Sequence, residues 1–299
     1  MSDNLSAELV SSSACFGGRQ EVYSHQSREC QCRMKFSIYL PPKVVTTDGS
    51  NTGGQKVPVI YYLPGLHNSE QEFIIKTGFQ RYAAEQGVIV VGTDTSPRGV
   101  DIDGQHTDPD FGSSAGFYVD ATEPKWRQHY RMHSYITKEL PEVIEHNFPV
   151  IVGLKSIFGH SMGGHGALVC ALKNPGLYKS VSALAPLANP TKDGWSKKWL
   201  SGYLGDNTGN VWEEWDASVL VTKYRGPALN LLVDWGTVDP YMPALRCQNF
   251  VDACLSANIP IDYHLHDGYD HSSFHVSTYI GEHIRHHSTI LYELLAEEK

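Results

Sequence analysis

Short apolar runs recur along the chain and alternate with longer segments that have helical spacing. The runs are rich in Val, Ile, Leu and Tyr, which is typical of strands covered on both faces of a sheet. Seven strands are predicted, at residues 34–40, 57–63, 88–92, 155–158, 181–185, 229–233 and 261–265. Five helices are predicted among them, at residues 70–85, 133–147, 162–174, 244–257 and 277–295.

Strands that alternate with helices favour a mostly parallel sheet with helices on both faces. Such sheets place their ligand sites beyond the carboxyl ends of the strands. One stretch, residues 187–225, interrupts the alternation and contains four of the six tryptophans. We interpret residues 1–299 as a single α/β domain in which residues 187–225 form an irregular excursion over the site.

The strongest local motif is Gly-His-Ser-Met-Gly at residues 159–163, which matches the G-x-S-x-G nucleophile elbow. This turn holds its serine in a strained backbone conformation so that the hydroxyl projects outward. The context fits, because a predicted strand precedes the motif and a predicted helix follows it. We therefore predict that Ser161 is a nucleophile and that the chain adopts the α/β-hydrolase fold.

A serine nucleophile needs a base within hydrogen-bond reach and an acid that orients the base. In this fold the partners follow in the order serine, acid, histidine. Asp234 and Asp239 both follow the predicted strand 229–233, and we prefer Asp239 because its loop begins with a glycine and can turn inward. His271, which follows the last predicted strand and precedes the last helix, is the predicted base.

The oxyanion hole of such a site needs two backbone N–H groups aimed at the developing negative charge. One is predicted at Met162, the residue after the nucleophile. The other is predicted at Leu66, in the loop after strand 57–63, where Gly65 lets the backbone approach the substrate.

Fifteen histidines raise the alternative of a metal-dependent hydrolase. His283 and His287 have the i, i+4 spacing of metal ligands, but a third ligand at a suitable spacing is missing. We interpret His283, His286 and His287 as a polar helix face, and His264 and His266 as packed or solvent-facing. No metal and no cofactor are expected.

A formal net charge of −9 argues against a nucleic-acid partner, because a phosphate-binding surface needs a basic excess. The first ten residues lack the pattern of a secretory signal, and we find no apolar run long enough to span a membrane. Six cysteines in 299 residues are too few for a dense disulfide framework. The expectation is a cytoplasmic enzyme that acts on a small molecule.

Nine segments carry a more specific resemblance. They are residues 15–18, 34–42, 94–99, 115–122, 157–174, 179–186, 201–205, 268–272 and 283–287. Across these segments the chain resembles the S-formylglutathione hydrolase family, also known as esterase D. The resemblance implies a thioesterase that hydrolyses S-formylglutathione to glutathione and formate, the last step of glutathione-dependent formaldehyde detoxification, with side activity on small esters.

The resemblance also implies roles for individual residues. It implies the triad Ser161, Asp239 and His271 and the oxyanion donors Leu66 and Met162, in agreement with the assignment made from the motifs. Trp195 falls on a tryptophan that borders the active site of the family and would contact substrate. The family tends to form dimers, so a homodimer is an expectation.

Several residues depart from the usual family pattern, and all lie near the expected pocket. They are Asn68 in place of a cysteine, Pro109 in place of a tryptophan, Ser114 in place of a glycine and Ser273 in place of a tyrosine. Asn68 puts sensitivity to thiol reagents in doubt, and each change can alter the preference among acyl groups and thiols. The alternatives are a general carboxylesterase of the same fold and a binding protein on an inactive hydrolase scaffold.

Overall fold

In a computed structural model of the chain, which describes residues 5–45 and 55–297, one nine-stranded sheet organises the molecule. Its strands are β1 (Glu8–Cys15), β2 (Gly18–Gln26), β3 (Arg33–Leu40), β4 (Val57–Leu63), β5 (Ile89–Thr93), β6 (Val150–His160), β7 (Val181–Leu184), β8 (Leu231–Gly236) and β9 (Ile261–His266). Their order in the sheet is β1-β2-β3-β5-β4-β6-β7-β8-β9. Every neighbouring pair from β5 to β9 is parallel, and β1, β2 and β3 are antiparallel to their neighbours.

Helices cover both faces of this sheet. In chain order they are α1 (Glu70–Lys76), α2 (Phe79–Gln86), α3 (Met132–Ser134), α4 (Leu140–Asn147), α5 (Met162–Lys173), α6 (Lys197–Leu204), α7 (Ala217–Lys223), α8 (Met242–Leu245), α9 (Cys247–Ser256) and α10 (Ser273–Glu297). A π-helical segment, Tyr135–Glu139, joins α3 to α4. None of the helices in residues 5–45 and 55–297 is long and apolar enough to cross a membrane.

Alternation of side chains along the strands separates two apolar cores. In β4, Val59 and Tyr61 pack in the core that contains α4, α5 and α9, whereas Ile60 and Tyr62 pack in the core that contains α1, α2 and α10. Successive residues of a strand point to opposite faces, so both faces must be apolar and both must be covered. The predicted α/β-hydrolase architecture, with a mostly parallel sheet between two helical layers, is confirmed.

Two predicted helices are interrupted in the structure. The predicted helix at residues 70–85 is divided into α1 and α2, because Gly78 adopts a φ of +65° that no α-helix accommodates. The predicted helix at residues 244–257 is divided at Arg246, whose φ is +53°. Helical periodicity alone does not reveal such single left-handed residues.

Strands β1 and β2 were absent from the sequence prediction. Most of β1 is exposed and its sequence, Glu-Leu-Val-Ser-Ser-Ser-Ala-Cys, has no continuous apolar run. Because β1 is an edge strand, both of its faces can be exposed to solvent. It therefore lacks the apolar run that identifies the central strands. Strand β6 also begins five residues earlier than predicted, at Val150.

The stretch between β7 and β8 is more helical than predicted. It contains two 3-10 segments, Pro190–Lys192 and Val211–Trp215, together with α6 and α7. The sequence predicted an irregular excursion at residues 187–225, and the short helices lie in this range. The interpretation of residues 1–299 as one domain stays a prediction.

Gly163 lies where α5 begins beside the end of β4. A Cβ atom at this position would overlap with the carbonyl oxygen of Leu63, which is backbone and cannot rotate away. We expect Gly163→Ala to lower the free energy of unfolding by about 3 kcal/mol or more, the upper range for overpacking. Urea denaturation followed by circular dichroism measures this change.

The matched control is Gly194→Ala, where an added Cβ meets no atom within 4 Å. That change is expected to stay within about 0.5 kcal/mol of the parent protein. Equal unfolding midpoints for the two variants would contradict the close approach of β4 and α5.

Candidate active site

Ser161 occupies the turn between β6 and α5. Its φ of +59° and ψ of −118° lie outside the regions that a non-glycine residue normally adopts. Three backbone hydrogen bonds hold this conformation. Ser161 N donates to Leu184 O at 2.9 Å, while Ser161 O accepts from His165 N at 3.0 Å and from Leu187 N at 3.2 Å. These bonds use only the backbone of Ser161, so its side-chain hydroxyl remains available to His271.

The structure brings the three predicted triad residues into contact. His271 Nε2 lies 2.8 Å from Ser161 Oγ, and His271 Nδ1 lies 2.6 Å from Asp239 Oδ2. Because a carboxylate can only accept a hydrogen bond, the proton of a neutral His271 ring belongs on Nδ1. Nε2 is then an acceptor, placed to receive the proton of the serine hydroxyl.

Asp239 is held in the loop between β8 and α8. Its side chain is completely buried, and its second oxygen, Oδ1, accepts a hydrogen bond from Tyr241 N at 2.8 Å. Both carboxylate oxygens are therefore partnered, which offsets the cost of burying the charge. Asp234, the alternative acid, contacts other histidines of β9 and α10.

Two further rings flank His271. The ring centroid of His160 lies 4.6 Å away, and that of Tyr241 lies 5.0 Å away in an edge-on arrangement. Burial, followed by the charges of His271 and His275, lowers the pKa of His160 well below its ordinary value. His160 is therefore neutral at pH 7 and adds no positive charge beside the base.

Ser161 and His271 open into a cavity of about 740 Å³, within the range of small-molecule sites. Leu66, Met162 and Trp195, the other three predicted site residues, also line it. The cavity walls are mostly apolar.

The predicted oxyanion donors, Leu66 and Met162, belong to two segments that meet beside Ser161. Met162 is the first residue of α5, and N–H groups in the first turn of a helix have no partner within the helix. In the other segment, an added Cβ on Gly65 would lie 3.2 Å from Ser161 Cβ, a contact tight enough to push the two backbones apart by a few tenths of an ångström. Both backbones are thus near the nucleophile.

Asn68 stabilises the loop that carries Leu66. Its amide, Nδ2, donates to Gly65 O at 3.2 Å and to Leu66 O at 2.8 Å. These two hydrogen bonds point the carbonyl oxygens of Gly65 and Leu66 toward Asn68. They therefore fix the orientation of the peptide groups in this loop. The residue that departs from the family pattern therefore has a structural task in this chain.

Trp195 forms part of the cavity wall from the segment between β7 and β8. Its indole Nε1 donates to Asp110 Oδ2 at 3.3 Å, and its ring centroid lies 5.8 Å from that of Phe117. Pro109 directly precedes Asp110. Trp195 is half-buried and lines the cavity, where it can contact a bound molecule.

Three charged side chains also line the cavity. Glu72, Lys76 and Asp110 line it, and Lys76 is the single lysine or arginine among the lining residues of the described chain. Glu72 accepts hydrogen bonds from Ser69 at the start of α1, so its carboxylate is already partnered. Lys76 is exposed and offers a cation at the entrance.

The remaining two departures also lie near the site. Ser114 has a φ of +62°, a conformation that favours glycine, and its carbonyl accepts from His67 N at 3.1 Å. Ser273 is the first residue of α10 and lines the cavity. A small serine here leaves space where the family usually has a tyrosine.

The histidines of α10 differ from the prediction. His283 and His287 are completely buried, so the interpretation as a polar helix face was wrong for both. They face the sheet, where His287 contacts the hydroxyls of Ser180 and Ser182 at 2.7 Å each and His283 contacts Ser182 Oγ at 2.7 Å. Ser182 of β7 and Ser180, which directly precedes this strand, satisfy these rings inside the core, a pairing that only the packed structure reveals.

Sequence reasoning missed His160 and Tyr241, and it placed Asn68 near the pocket without its contacts to the Leu66 loop. His160 occupies the variable position of the G-x-S-x-G motif, so its place beside the base could have been inferred from the turn. Tyr241 and Asn68 carry no comparable signal, because their contacts depend on how the loops fold.

Comparisons with known proteins identify the family of the chain. A model of the family described as "Putative esterase" matches residues 27–286. The chain is 51% identical to an S-formylglutathione hydrolase of Bos taurus over 96% of this chain and 99% of the relative. It is 44% identical to that of Arabidopsis thaliana over 94% and 97%. A solved S-formylglutathione hydrolase structure from Agrobacterium tumefaciens has a TM-score of 0.88 and 40% identity, covering 95% and 99%.

Proposed function

Because the chain belongs to the S-formylglutathione hydrolase family of esterases, we propose that it hydrolyses S-formylglutathione to glutathione and formate, using Ser161, His271 and Asp239. The observation that carries the proposal is the continuous series of hydrogen bonds from Asp239 through His271 to Ser161, at 2.6 and 2.8 Å. This series ends in a cavity large enough for a small thioester.

In the first half of the reaction, Ser161 Oγ attacks the formyl carbon while His271 Nε2 takes its proton. The carbonyl oxygen becomes an oxyanion, and the N–H groups of Leu66 and Met162 donate to it. Asp239 accepts the Nδ1–H of His271 and stabilises the imidazolium that forms. Collapse of this intermediate breaks the C–S bond, and glutathione leaves with the proton from Nε2.

In the second half, water replaces glutathione at the formyl-serine ester. His271 Nε2 takes a proton from this water, and the resulting hydroxide attacks the formyl carbon. The same two N–H groups hold the second oxyanion. Its collapse expels Ser161 Oγ, which takes back the proton from His271 Nε2, and releases formic acid, which ionises to formate in water. The starting enzyme is thereby restored.

Lys76 supports recognition of the glutathione portion. Glutathione carries two carboxylates and one ammonium group at neutral pH, so a bound conjugate has a net negative charge. A chain with a net charge of −9 repels such a molecule at long range, and a cation at the entrance offsets this repulsion locally. Lys76 at the rim has the required sign and exposure.

We expect Lys76→Ala to raise KM for S-formylglutathione about two- to fivefold, the effect of losing an exposed ion pair. KM for the neutral ester p-nitrophenyl acetate and both kcat values should be unchanged. Steady-state kinetics at low and high salt measure this, because screening should reduce the difference. Lys56→Ala, which removes an exposed lysine just before β4, is the control, and an equal effect there would contradict a role specific to Lys76.

The substrate proposal itself is tested by comparing kcat/KM for S-formylglutathione with kcat/KM for p-nitrophenyl acetate on the same preparation. We expect the thioester value to be higher by about tenfold or more, because the glutathione portion adds binding energy in the transition state that the small ester lacks. A higher value for the ester would instead favour the general carboxylesterase. The triad would be unaffected by that outcome.

The proposed setting is cytoplasmic, with a small-molecule substrate, no nucleic-acid partner and no cofactor. The acidic net charge argues against a nucleic-acid partner, because a phosphate-binding surface needs a basic excess. A homodimer remains a prediction from the resemblance.

A further inference from the structure

A buried carboxylate on β8 collects histidines from the neighbouring edge strand. Asp234 is completely buried, with Oδ1 3.0 Å from His264 Nδ1 and Oδ2 3.1 Å from His266 Nε2. The parallel register pairs Asp234 with His264 and Gly236 with His266. Because alternate residues of a strand share a face, both imidazoles of β9 lie on the side of the sheet that carries the carboxylate.

The spacing of these donor atoms suits a metal ion. One donor atom from each of Asp234, His264 and His266 lies within 4.8 Å of the others. Ligands at about 2.0–2.2 Å from a tetrahedral Zn²⁺ lie about 3.3 Å apart, close to the two nitrogen–oxygen separations observed. A Zn²⁺ ion could therefore bind once the two imidazoles, which now contact different oxygens of Asp234, turn toward a common point.

A second carboxylate lies behind His264. Asp262 Oδ1 is 3.5 Å from His264 Nε2, on the opposite side of the ring from Asp234. A histidine that binds a metal commonly donates its other ring N–H to a carboxylate, which sets its tautomer and orientation. If Nδ1 of His264 binds the ion, its proton moves to Nε2 through solvent, and Asp262 is placed to accept it.

Other histidines add to the polar capacity of this region. His283 Nε2 lies 3.3 Å from Asp234 Oδ2 and would keep its contact with the carboxylate when the two strand histidines turn to an ion. His275 is completely buried with its ring centroid 5.6 Å from that of His266, and within the described chain neither of its ring nitrogens has a hydrogen-bond partner. This region of the described chain thus contains two imidazole nitrogens, those of His275, that have no hydrogen-bond partner in the protein.

From these contacts we propose that Asp234, His264 and His266 bind a first-row divalent transition ion such as Zn²⁺ at the β8–β9 edge, separate from Ser161. Entry from solvent is open, because β9 is an edge strand and the His264 side chain is 42% exposed. Nitrogen ligands with one carboxylate suit Zn²⁺ better than Ca²⁺ or Mg²⁺, which prefer oxygen.

A bound ion would stabilise the two loops that carry Asp239 and His271. Strand β8 leads into the loop of Asp239, and β9 leads into the loop of His271. Two backbone bonds already join these loops, Thr237 N to His266 O at 3.0 Å and Val238 N to Tyr269 O at 3.1 Å. An ion that links β8 to β9 adds a further constraint at the base of both loops.

The test is isothermal titration of ZnCl₂ into the full chain after treatment with EDTA, together with thermal unfolding. We expect one equivalent of Zn²⁺ to bind to the parent protein, and Tm to rise by about 5 °C at a hundredfold excess over Kd. His264→Gln should weaken this binding at least about tenfold, and Asp262→Asn should weaken it about tenfold as a group behind the ligand. His106→Gln, which removes an exposed histidine from a distant loop, should have no effect.

Absence of saturable Zn²⁺ binding in the parent protein, or equal affinity in His264→Gln, would overturn the proposal. If His264→Gln fails to fold, as judged by circular dichroism, Asp262→Asn decides, because its side chain is 69% exposed and its loss should leave the fold intact. In that case an unchanged Zn²⁺ affinity in Asp262→Asn overturns the proposal. Weaker binding in His264→Gln alone would support the site and remove only the role of Asp262. A second Zn²⁺ equivalent that both variants keep belongs elsewhere.

Discussion

Replacing Ser161 with alanine is expected to lower kcat for S-formylglutathione and for p-nitrophenyl acetate by about 10⁴-fold or more, by analogy with other serine triads. The reason is geometric. Ser161 Oγ is the atom that His271 Nε2 reaches at 2.8 Å, and alanine leaves the base with no hydroxyl to activate. Residual turnover would come from the remaining oxyanion donors and from substrate binding.

Both substrates should be measured, because a shared nucleophile predicts parallel losses. A fluorophosphonate probe should label the parent protein and leave the alanine variant unlabelled. Ser201→Ala, which changes an exposed serine on α6, is the matched control and should keep full activity. More than a few per cent of the parent turnover in Ser161→Ala, with the fold intact by circular dichroism, would remove Ser161 from the proposed mechanism.

Replacing Asp239 with asparagine is expected to lower kcat by about 10³- to 10⁴-fold while the protein stays folded. Asp239 accepts the Nδ1–H of His271 at 2.6 Å, and this contact makes Nε2 the acceptor for the serine proton. An asparagine amide can donate to Nδ1 instead, which places the imidazole proton on Nε2. In that tautomer the ring cannot take a proton from Ser161.

Single-turnover and steady-state rates on the thioester measure this loss, and KM should change much less than kcat. Asp267→Asn is the matched control, because Asp267 is an exposed carboxylate in the neighbouring loop. If Asp239→Asn retained most of the activity, the proposed acid would be wrong, and Asp234 would be the next candidate.

The central strands could be predicted because their burial leaves a direct mark on the sequence. In β4 all seven residues are buried, and the run Val-Pro-Val-Ile-Tyr-Tyr-Leu is apolar throughout. Edge strand β1 lacks this mark, because its side chains meet solvent and any polar pattern is tolerated. The breaks at Gly78 and Arg246 were also invisible, since one left-handed residue barely changes the helical periodicity around it.

The site divides in a similar way. The elbow around Ser161 is a local structure, so five consecutive residues and their flanking elements suffice to predict it. In the sequence, both Asp234 and Asp239 follow the same predicted strand. Asp239 is preferred because its loop is free to turn inward, whereas Asp234 directly ends the strand. Their contacts in the structure differ completely, because the turn after β8 carries Asp239 to His271 and leaves Asp234 among the histidines of β9 and α10.

The sequence by itself determined the α/β-hydrolase class, the family resemblance and the three triad candidates, because these depend on local periodicity, short motifs and chain order. Only the tertiary structure decided that His271 lies between His160 and Tyr241, that Asn68 supports the Leu66 loop, and that Asp234 has its own set of histidines. These contacts join residues from different elements. Such contacts depend on how the sheet and its loops pack together, and they cannot be inferred from the separation of the residues along the chain.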